Sequence, residues 1–223
     1  EGPVLRVGYF PALHHAQALI GVPRGDFQRA LGASARVEPY LFRAGPEVVE
    51  AMFSGAIDLA YVGPNPAINA HLRSRGAAVR VLAGGCSGGA ALVVRSASGI
   101  TKAADLRGRM VATPLLGNTQ DISARAWLLE QGLRHNRDVQ VVPFKGADQL
   151  SLFQQKQLDA AWTTEPWVSR LIHEADGRVL LEEGSLWPQG LYPSTLVLVS
   201  ERVLRERPGL LRSWLKAHVE LTR

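Results

Sequence analysis

Apolar residues in this chain fall into short blocks separated by turn residues, and the spacing within the blocks switches between two periods. Val4–Tyr9, Val37–Phe42, Leu59–Val62, Val79–Ala83 and Ala90–Arg95 are compact runs that predict strands. Between them, Ala16–Val22, Gly45–Phe53 and Pro64 to about Leu72 predict helices, the second with Val49, Met52 and Phe53 on one face. The alternation resumes after Ser96. Met110–Thr113, Val139–Val142, Ala160–Trp162 and Val179–Leu181 predict strands, and Ala147–Gln155 and Pro166–Glu174 predict helices. Another helix opens at Gly117-Asn118-Thr119-Gln120-Asp121, with Ile122, Ala126, Leu129 and Leu133 as its apolar face and an end near Gly132. Leu196–Val199 is apolar again and returns to the first lobe, followed by helices at Glu201–Glu206 and Leu210–His218. Strands alternating this regularly with helices predict an α/β protein with parallel sheets.

One pattern occurs twice. Ala51–Tyr61 followed by Val62-Gly63-Pro64, and Leu152–Trp162 followed by Thr163-Thr164-Glu165-Pro166, each read as a helix end, a tight turn, an aspartate, a strand ending in an aromatic, and a polar turn with a proline. Two lobes of like build follow. Ligands of open α/β sheets bind at the carboxyl ends of the strands, so two such edges facing each other predict a ligand cleft, with Asn65 and Asn118 on opposite walls.

Composition narrows the function classes. The 223 residues suffice for one large or two small domains, and 46% hydrophobic with 20% charged residues are globular values. No run is long and apolar enough for a transmembrane helix. The net charge of +5 comes from scattered arginines without a basic run, which argues against nucleic-acid binding and favours gathering an anionic ligand. Cys86 is the single cysteine, so no internal disulfide forms. The opening Glu1-Gly2-Pro3 carries no signal-peptide pattern and reads as a mature or trimmed start.

The loops hold the candidate chemistry. Asn118, Thr119 and Gln120 open a helix where free N–H groups and the dipole attract anions; Asn118 or Thr119 caps, and Asp121 sits at a capping-box position. Asn65, in Gly63-Pro64-Asn65-Pro66, is the matching element of the first lobe and offers both a donor and an acceptor. Gly85-Cys86-Ser87-Gly88-Gly89 fits the pattern of a nucleophile elbow, but the following Ala90–Val94 is strand-like where an elbow needs a helix. The better reading is a glycine-rich loop in which Ser87, Gly88 and Gly89 form an anion nest, with no catalytic role for Ser87. Trp162 and Tyr61 end equivalent strands, as core residues or as a wall for the apolar part of a ligand. Glu165 either caps a helix or meets a ligand amine, and Trp167 packs. His14 and His15 have no partners at metal-ligand spacing, so neither a metal nor a cofactor is expected.

Taken in order, Gly8-Tyr9-Phe10-Pro11 with His14, Phe53–Asp58, Gly63-Pro64-Asn65-Pro66, Ser87-Gly88-Gly89-Ala90, Gly117–Asp121 and Thr164-Glu165-Pro166-Trp167 resemble the nitrate/sulfonate/taurine class of ABC-transporter substrate-binding proteins. The resemblance runs from Leu5 to about Pro208 and implies the type II periplasmic-binding-protein fold. In that fold two α/β lobes joined by two hinge crossovers close on a ligand. It places the crossovers near Val94–Ser96 and Tyr192–Leu196, hence one lobe of residues 1–94 and 195–223 and another of 95–194. It also implies that His14 or His15 faces the cleft.

The function implied is capture of a small anionic ligand (a sulfonate, nitrate or a taurine-like compound) for a membrane permease. The protein would be a monomer, periplasmic or otherwise extracytoplasmic, free or lipid-anchored ahead of the present start. Members of this class generally extend beyond the point where this chain stops. Two rivals share the fold. One is an enzyme, either of the pyrimidine-precursor synthase type, which would want a cysteine-rich iron motif where only Cys86 stands, or of the menaquinone-pathway dehydratase type, in which His14 or His15 would be the base; the other is a sensor domain.

Overall fold

The computed structural model describes residues 2–223; Glu1, part of the start read as trimmed, lies outside the described residues. In chain order the elements are β1 (Val4–Tyr9), α1 (Ala16–Gly21), α2 (Asp26–Leu31), β2 (Arg36–Leu41), α3 (Gly45–Phe53), β3 (Leu59–Val62), α4 (Pro64–Arg73), β4 (Val79–Ser87) and β5 (Ala90–Arg95). They continue as β6 (Met110–Thr113), α5 (Thr119–Glu130), β7 (Gln140–Pro143), α6 (Gly146–Gln154), β8 (Ala160–Thr164), α7 (Trp167–Glu174) and β9 (Gly177–Glu182). The chain ends with β10 (Pro193–Ser200), α8 (Glu201–Glu206) and α9 (Pro208–Glu220).

Two compact units result. The first runs to Ser87 and resumes at Pro193–Arg223; the second is Gly88–Tyr192. The first crossover therefore falls at Ser87–Gly88 and not after Val94. Ala90–Arg95 pairs with β8 and β9, which gives it to the second unit. An apolar run of this kind fits either sheet, and only the partner it meets decides.

Each unit holds a five-stranded sheet, in the orders β2-β1-β3-β10-β4 and β7-β6-β8-β5-β9. The sheets are mixed, not parallel as the alternation predicts. β2, β1 and β3 run parallel, while β10 lies antiparallel to both β3 and β4. The second unit repeats this with β7, β6 and β8 parallel and β5 antiparallel to β8 and β9. In each sheet the reversed strand is the one that enters from the other unit, so no helix-mediated crossover dictates its direction.

Strand alternation builds a core on both faces of each sheet. In the first unit, Leu5, Val7, Leu59, Tyr61, Val197 and Val199 face Phe27 of α2 and Trp214 of α9. Ala60, Val62 and Leu198 point the other way, toward Val48, Val49 and Met52 of α3 and Ala67 and Ala70 of α4. In the second, Leu92, Val111 and Trp162 meet Ala124, Trp127 and Leu128 of α5. Ala91, Ala112 and Ala161 meet Leu150 and Phe153 of α6 and Val168 and Leu171 of α7.

Two helix readings change. α2, between Gly25 and Gly32, had no sequence signal beyond its neighbours; it is secured by the stack of Phe27 on Trp214 at 5.0 Å. The buried face of α5 is Gln120, Asp121, Ala124, Trp127 and Leu128, whereas Ile122 and Leu129 are exposed. Trp127 lies edge-on to Trp162 at 5.8 Å. An aromatic ring carries the larger buried area, so it sets the rotation of the helix.

The duplication extends to close packing. A Cβ on Gly45, at the start of α3, would lie 2.2 Å from Pro66 of α4; one on Gly146, at the start of α6, would lie 2.3 Å from Trp167 of α7. In both units, glycine lets two successive helices touch at their amino ends.

Candidate functional site

Each unit presents polar groups at the carboxyl edge of its parallel strands. In the first unit these follow β1 and β3 and include the end of β4 and the start of β10. β10 is antiparallel to β3, with Leu196 opposite Val62, so its first residues belong to this edge.

His15 ends a short 3-10 turn, Leu13–His15, and is fully buried. The Phe10 N–H donates to its Nδ1 at 3.0 Å, and its ring stacks on Phe10 with centroids 4.4 Å apart. With Nδ1 accepting, the neutral imidazole carries its proton on Nε2, a buried atom with no hydrogen-bond partner. Burial, and secondarily the neighbouring His14, hold His15 well below the usual histidine range. His14 stands edge-on to it at 4.6 Å, its own pKa pushed down to about 4 by burial, and its Nδ1 also lacks a partner. The hydroxyls of Ser194 and Thr195, both buried on β10, are likewise unsatisfied. This edge thus offers neutral donors rather than imidazolium charge.

Asn65 is half-buried in the first turn of α4, which begins at Pro64 and is held by the contact between Gly45 and Pro66. Ser87 is exposed at the end of β4, which runs on through Gly84–Cys86 where a glycine-rich loop was expected. Pairing with β10 (Gly84 with Leu196, Cys86 with Thr195, Ser87 with Pro193) imposes the extended form. Gly88 and Gly89, at φ 77° and 79°, make the turn into β5. Gly88 N–H donates to the Tyr192 carbonyl at 3.3 Å, and the Ala90 N–H donates to the Tyr192 hydroxyl at 3.1 Å. The Gly88 amide is therefore committed to holding the turn. The strand after Ser87 is the feature that separates this segment from a nucleophile elbow.

In the second unit the edge centres on α5. Asn118 is its N-cap: Oδ1 accepts the Asp121 N–H at 2.8 Å. Asp121 does not complete a capping box on the Asn118 backbone. Its carboxylate accepts the Gly117 N–H at 3.0 Å, the Thr113 hydroxyl at 3.2 Å and Arg125 Nε at 2.9 Å. This clamps the turn one residue earlier, with Gly117 at φ 74°. With Oδ1 used by the cap, the group Asn118 retains for a ligand is its NH2, a donor. Gln120 is buried and Thr119 half-buried beside it. Thr163 is fully buried with Oγ1 unpartnered.

Trp162 and Glu165 have partners within their own unit. Trp162 is enclosed in the core, the first of its two readings: its indole N–H donates to Glu183 at 2.7 Å, and Ser123 donates to the other oxygen at 2.7 Å. Burial raises the Glu183 carboxyl above the usual range, against the pull of these two donors. Glu165, at a cis peptide bond to Pro166, accepts the Ser169 N–H at 3.1 Å and the Ser169 hydroxyl at 2.9 Å, so it caps α7. Sequence reasoning missed Ser194, Thr195, Thr163 and Glu183. Small hydroxyls in apolar runs give no signal until their neighbours are known.

The fold is the periplasmic-binding-protein fold. The chain is similar to the alkanesulfonate-binding protein SsuA from Xanthomonas axonopodis pv. citri bound to MOPS, with a TM-score of 0.81 and 22% identity over 99% of this chain and 73% of that one. It belongs to the NMT1-like family, which it matches over residues 1–223. A protein of Brucella abortus (strain 2308) named as a binding protein is 29% identical over 207 residues, 92% of this chain and 61% of the relative. The taurine-binding periplasmic protein of Escherichia coli (strain K12) is 25% identical over 199 residues, 89% of this chain and 60% of the relative. The chain thus spans about three fifths of the length of these curated relatives.

Proposed function

We propose that the protein is the solute-capturing component of an ABC importer, taking a small anion of the sulfonate type outside the cytoplasm and delivering it to a membrane permease. The observation that carries this is the start of α5. Its cap is fixed through Asn118 Oδ1, which leaves the Asn118 amide as a donor beside the first-turn N–H groups, where an anion is favoured. The first unit adds neutral donors, with His15 Nε2–H the best defined. The names of the taurine- and alkanesulfonate-binding relatives support the same chemistry. An enzymatic role is disfavoured because the Nδ1 lone pair of His15 is already used by Phe10 and burial pushes His14 down to about 4, which makes both poor general bases.

Calorimetric titration with taurine, ethanesulfonate, MOPS, nitrate and sulfate tests this. Saturable one-to-one binding of a sulfonate is expected, together with native mass spectra showing a co-purified small anion. Absence of binding to every sulfonate by protein of native circular dichroism would overturn the reading.

A further inference from the structure

The carboxyl edge of the first unit is tied together by a helix that contributes nothing to that edge. His218 lies in the last turn of α9 and is buried. Its Nε2 is 2.9 Å from the Gly84 carbonyl, and its Nδ1 is 2.8 Å from the Tyr61 hydroxyl. A carbonyl only accepts, so Nε2 carries the proton. Burial keeps His218 below the usual histidine range, so the ring is neutral, Nδ1 accepts and Tyr61 donates. The ring is stacked on Trp214 at 5.3 Å, which fixes its plane.

Each partner stands just ahead of a candidate contact. Tyr61 is followed by Val62 and the Gly63-Pro64-Asn65 turn, and Gly84 precedes Gly85–Ser87 at the end of β4. A third segment joins through Gln17, in the first turn of α1 directly after His14 and His15. Its amide donates to the Gly85 carbonyl at 2.8 Å and to the Thr222 hydroxyl at 3.1 Å, and Thr222 donates to the His218 carbonyl at 2.7 Å. Three segments that are far apart in sequence are thereby linked at one histidine and its own helical turn.

We infer that His218 is a positioning residue: it holds the end of β3, the end of β4 and the start of α1 in register, so that Asn65, Ser87 and the His14–His15 pair keep fixed places. β4 is an edge strand whose ladder bonds go to β10 alone, with register shifts along that ladder, so it needs a second anchor. Gly84 and Gly85 bring no side chain to pack, and a hydrogen bond to their carbonyls supplies the anchor. The assignment of these segments to ligand contact rests on the proposed function; the link itself does not.

Hydrogen exchange read by mass spectrometry on the intact chain tests the link without any ligand. His218→Phe keeps a ring against Trp214 and removes both nitrogens, Tyr61→Phe removes one hydroxyl, and His218→Gln restores an acceptor and a donor. In His218→Phe, peptides covering 60–66 and 82–88 are expected to exchange at least fivefold faster; in Tyr61→Phe, which leaves the bond to the Gly84 carbonyl, only those covering 60–66 should. Peptides of β1 and β2 should change less than twofold. His218→Gln should recover most of the protection, and the double variant Tyr61→Phe/His218→Phe should match His218→Phe alone because His218→Phe already breaks the bond that Tyr61→Phe removes. Equal acceleration across all first-unit peptides, or no acceleration at 82–88 in His218→Phe, would overturn the inference; if His218→Phe does not fold, Tyr61→Phe decides it at 60–66, where unchanged exchange would overturn it. Taurine titration in parallel separates the two claims: a wild type that ignores taurine counts against the proposed function and leaves the exchange comparison intact.

Discussion

Asp58 and Asp159 hold the same post in their two units. Each stands one residue ahead of the third parallel strand and binds one arginine at or just before the start of the first parallel strand and another at the end of the entering strand or in the helix that follows it. For Asp58 these are Arg6, whose backbone N–H and guanidinium both donate, and Arg202. For Asp159 they are Arg109 and Arg95. The repeated aspartate is thus a staple at the amino ends of the strands, away from the candidate ligand edge.

Burial separates the two staples. The Asp58 side chain is 1% exposed and that of Asp159 17%. Asp58→Ala leaves the Arg6 backbone N–H and guanidinium without their acceptor, while Arg202 keeps Glu206, and should destabilise by about 2–3 kcal/mol. Asp159→Ala should cost clearly less, since water can replace the carboxylate. Urea unfolding of both variants checks the order; equal losses would show that burial does not govern the pair.

Asn118 has two separable jobs. Asn118→Asp keeps an N-cap acceptor and adds a charge suited to a helix start, so the melting temperature should hold or rise. The same change removes the donor and repels an anion, so affinity for taurine or another bound sulfonate should fall by about thirtyfold, roughly 2 kcal/mol. Asn118→Ala should do the reverse in rank: stability falls by about 1 kcal/mol through the lost cap, while affinity falls less. Calorimetry beside thermal melts reads both. Unchanged affinity in Asn118→Asp would move the polar end of the ligand elsewhere.

Acid should weaken the first unit. His14, His15 and His218 all have folded pKa values below the unfolded value of about 6.5. The unfolded chain therefore binds more protons once the pH drops below about 6.5, and stability falls toward pH 4, the value to which His14 is pushed. Each such group contributes at most about 1.4 kcal/mol per pH unit in that window. Glu183 acts oppositely: its raised folded pKa favours the native state as it protonates, and that contribution is lost as pH rises through the folded value. Denaturant midpoints between pH 7.5 and 4.5 should decline overall, and less steeply in His14→Gln. A flat profile would contradict neutral burial of the three histidines.

The two helix-start glycines should tolerate nothing larger. Gly45→Ala and Gly146→Ala put a methyl 2.2 and 2.3 Å from Pro66 and Trp167, so each should cost about 1–3 kcal/mol by overpacking. Gly209→Ala, whose added Cβ meets nothing within 4 Å beyond its chain neighbours and its own helix backbone among the described residues, is the control and should be near neutral. Chemical denaturation of the three variants tests this; a neutral Gly146→Ala would mean that Trp167 moves freely.

The sequence by itself determined the element alternation, the duplicated turn and the polar loops. Strand periodicity, glycine and proline punctuation and the Asn118 cap are local, set by backbone sterics and hydrogen bonds a few residues apart. The tertiary structure alone decided the rest. That Ala90–Arg95 joins the second sheet, that β10 and β5 run antiparallel, that Trp127 and not Leu129 turns inward, and that Trp162 spends its N–H on Glu183 all depend on partners distant in sequence. So does the reading of His15. Its tautomer and its neutrality come from the Phe10 amide and from burial, and a histidine in a sequence carries neither. Local preferences fix what an element is, but burial and hydrogen-bond satisfaction, which are properties of the packed whole, fix what each side chain has left to offer a ligand.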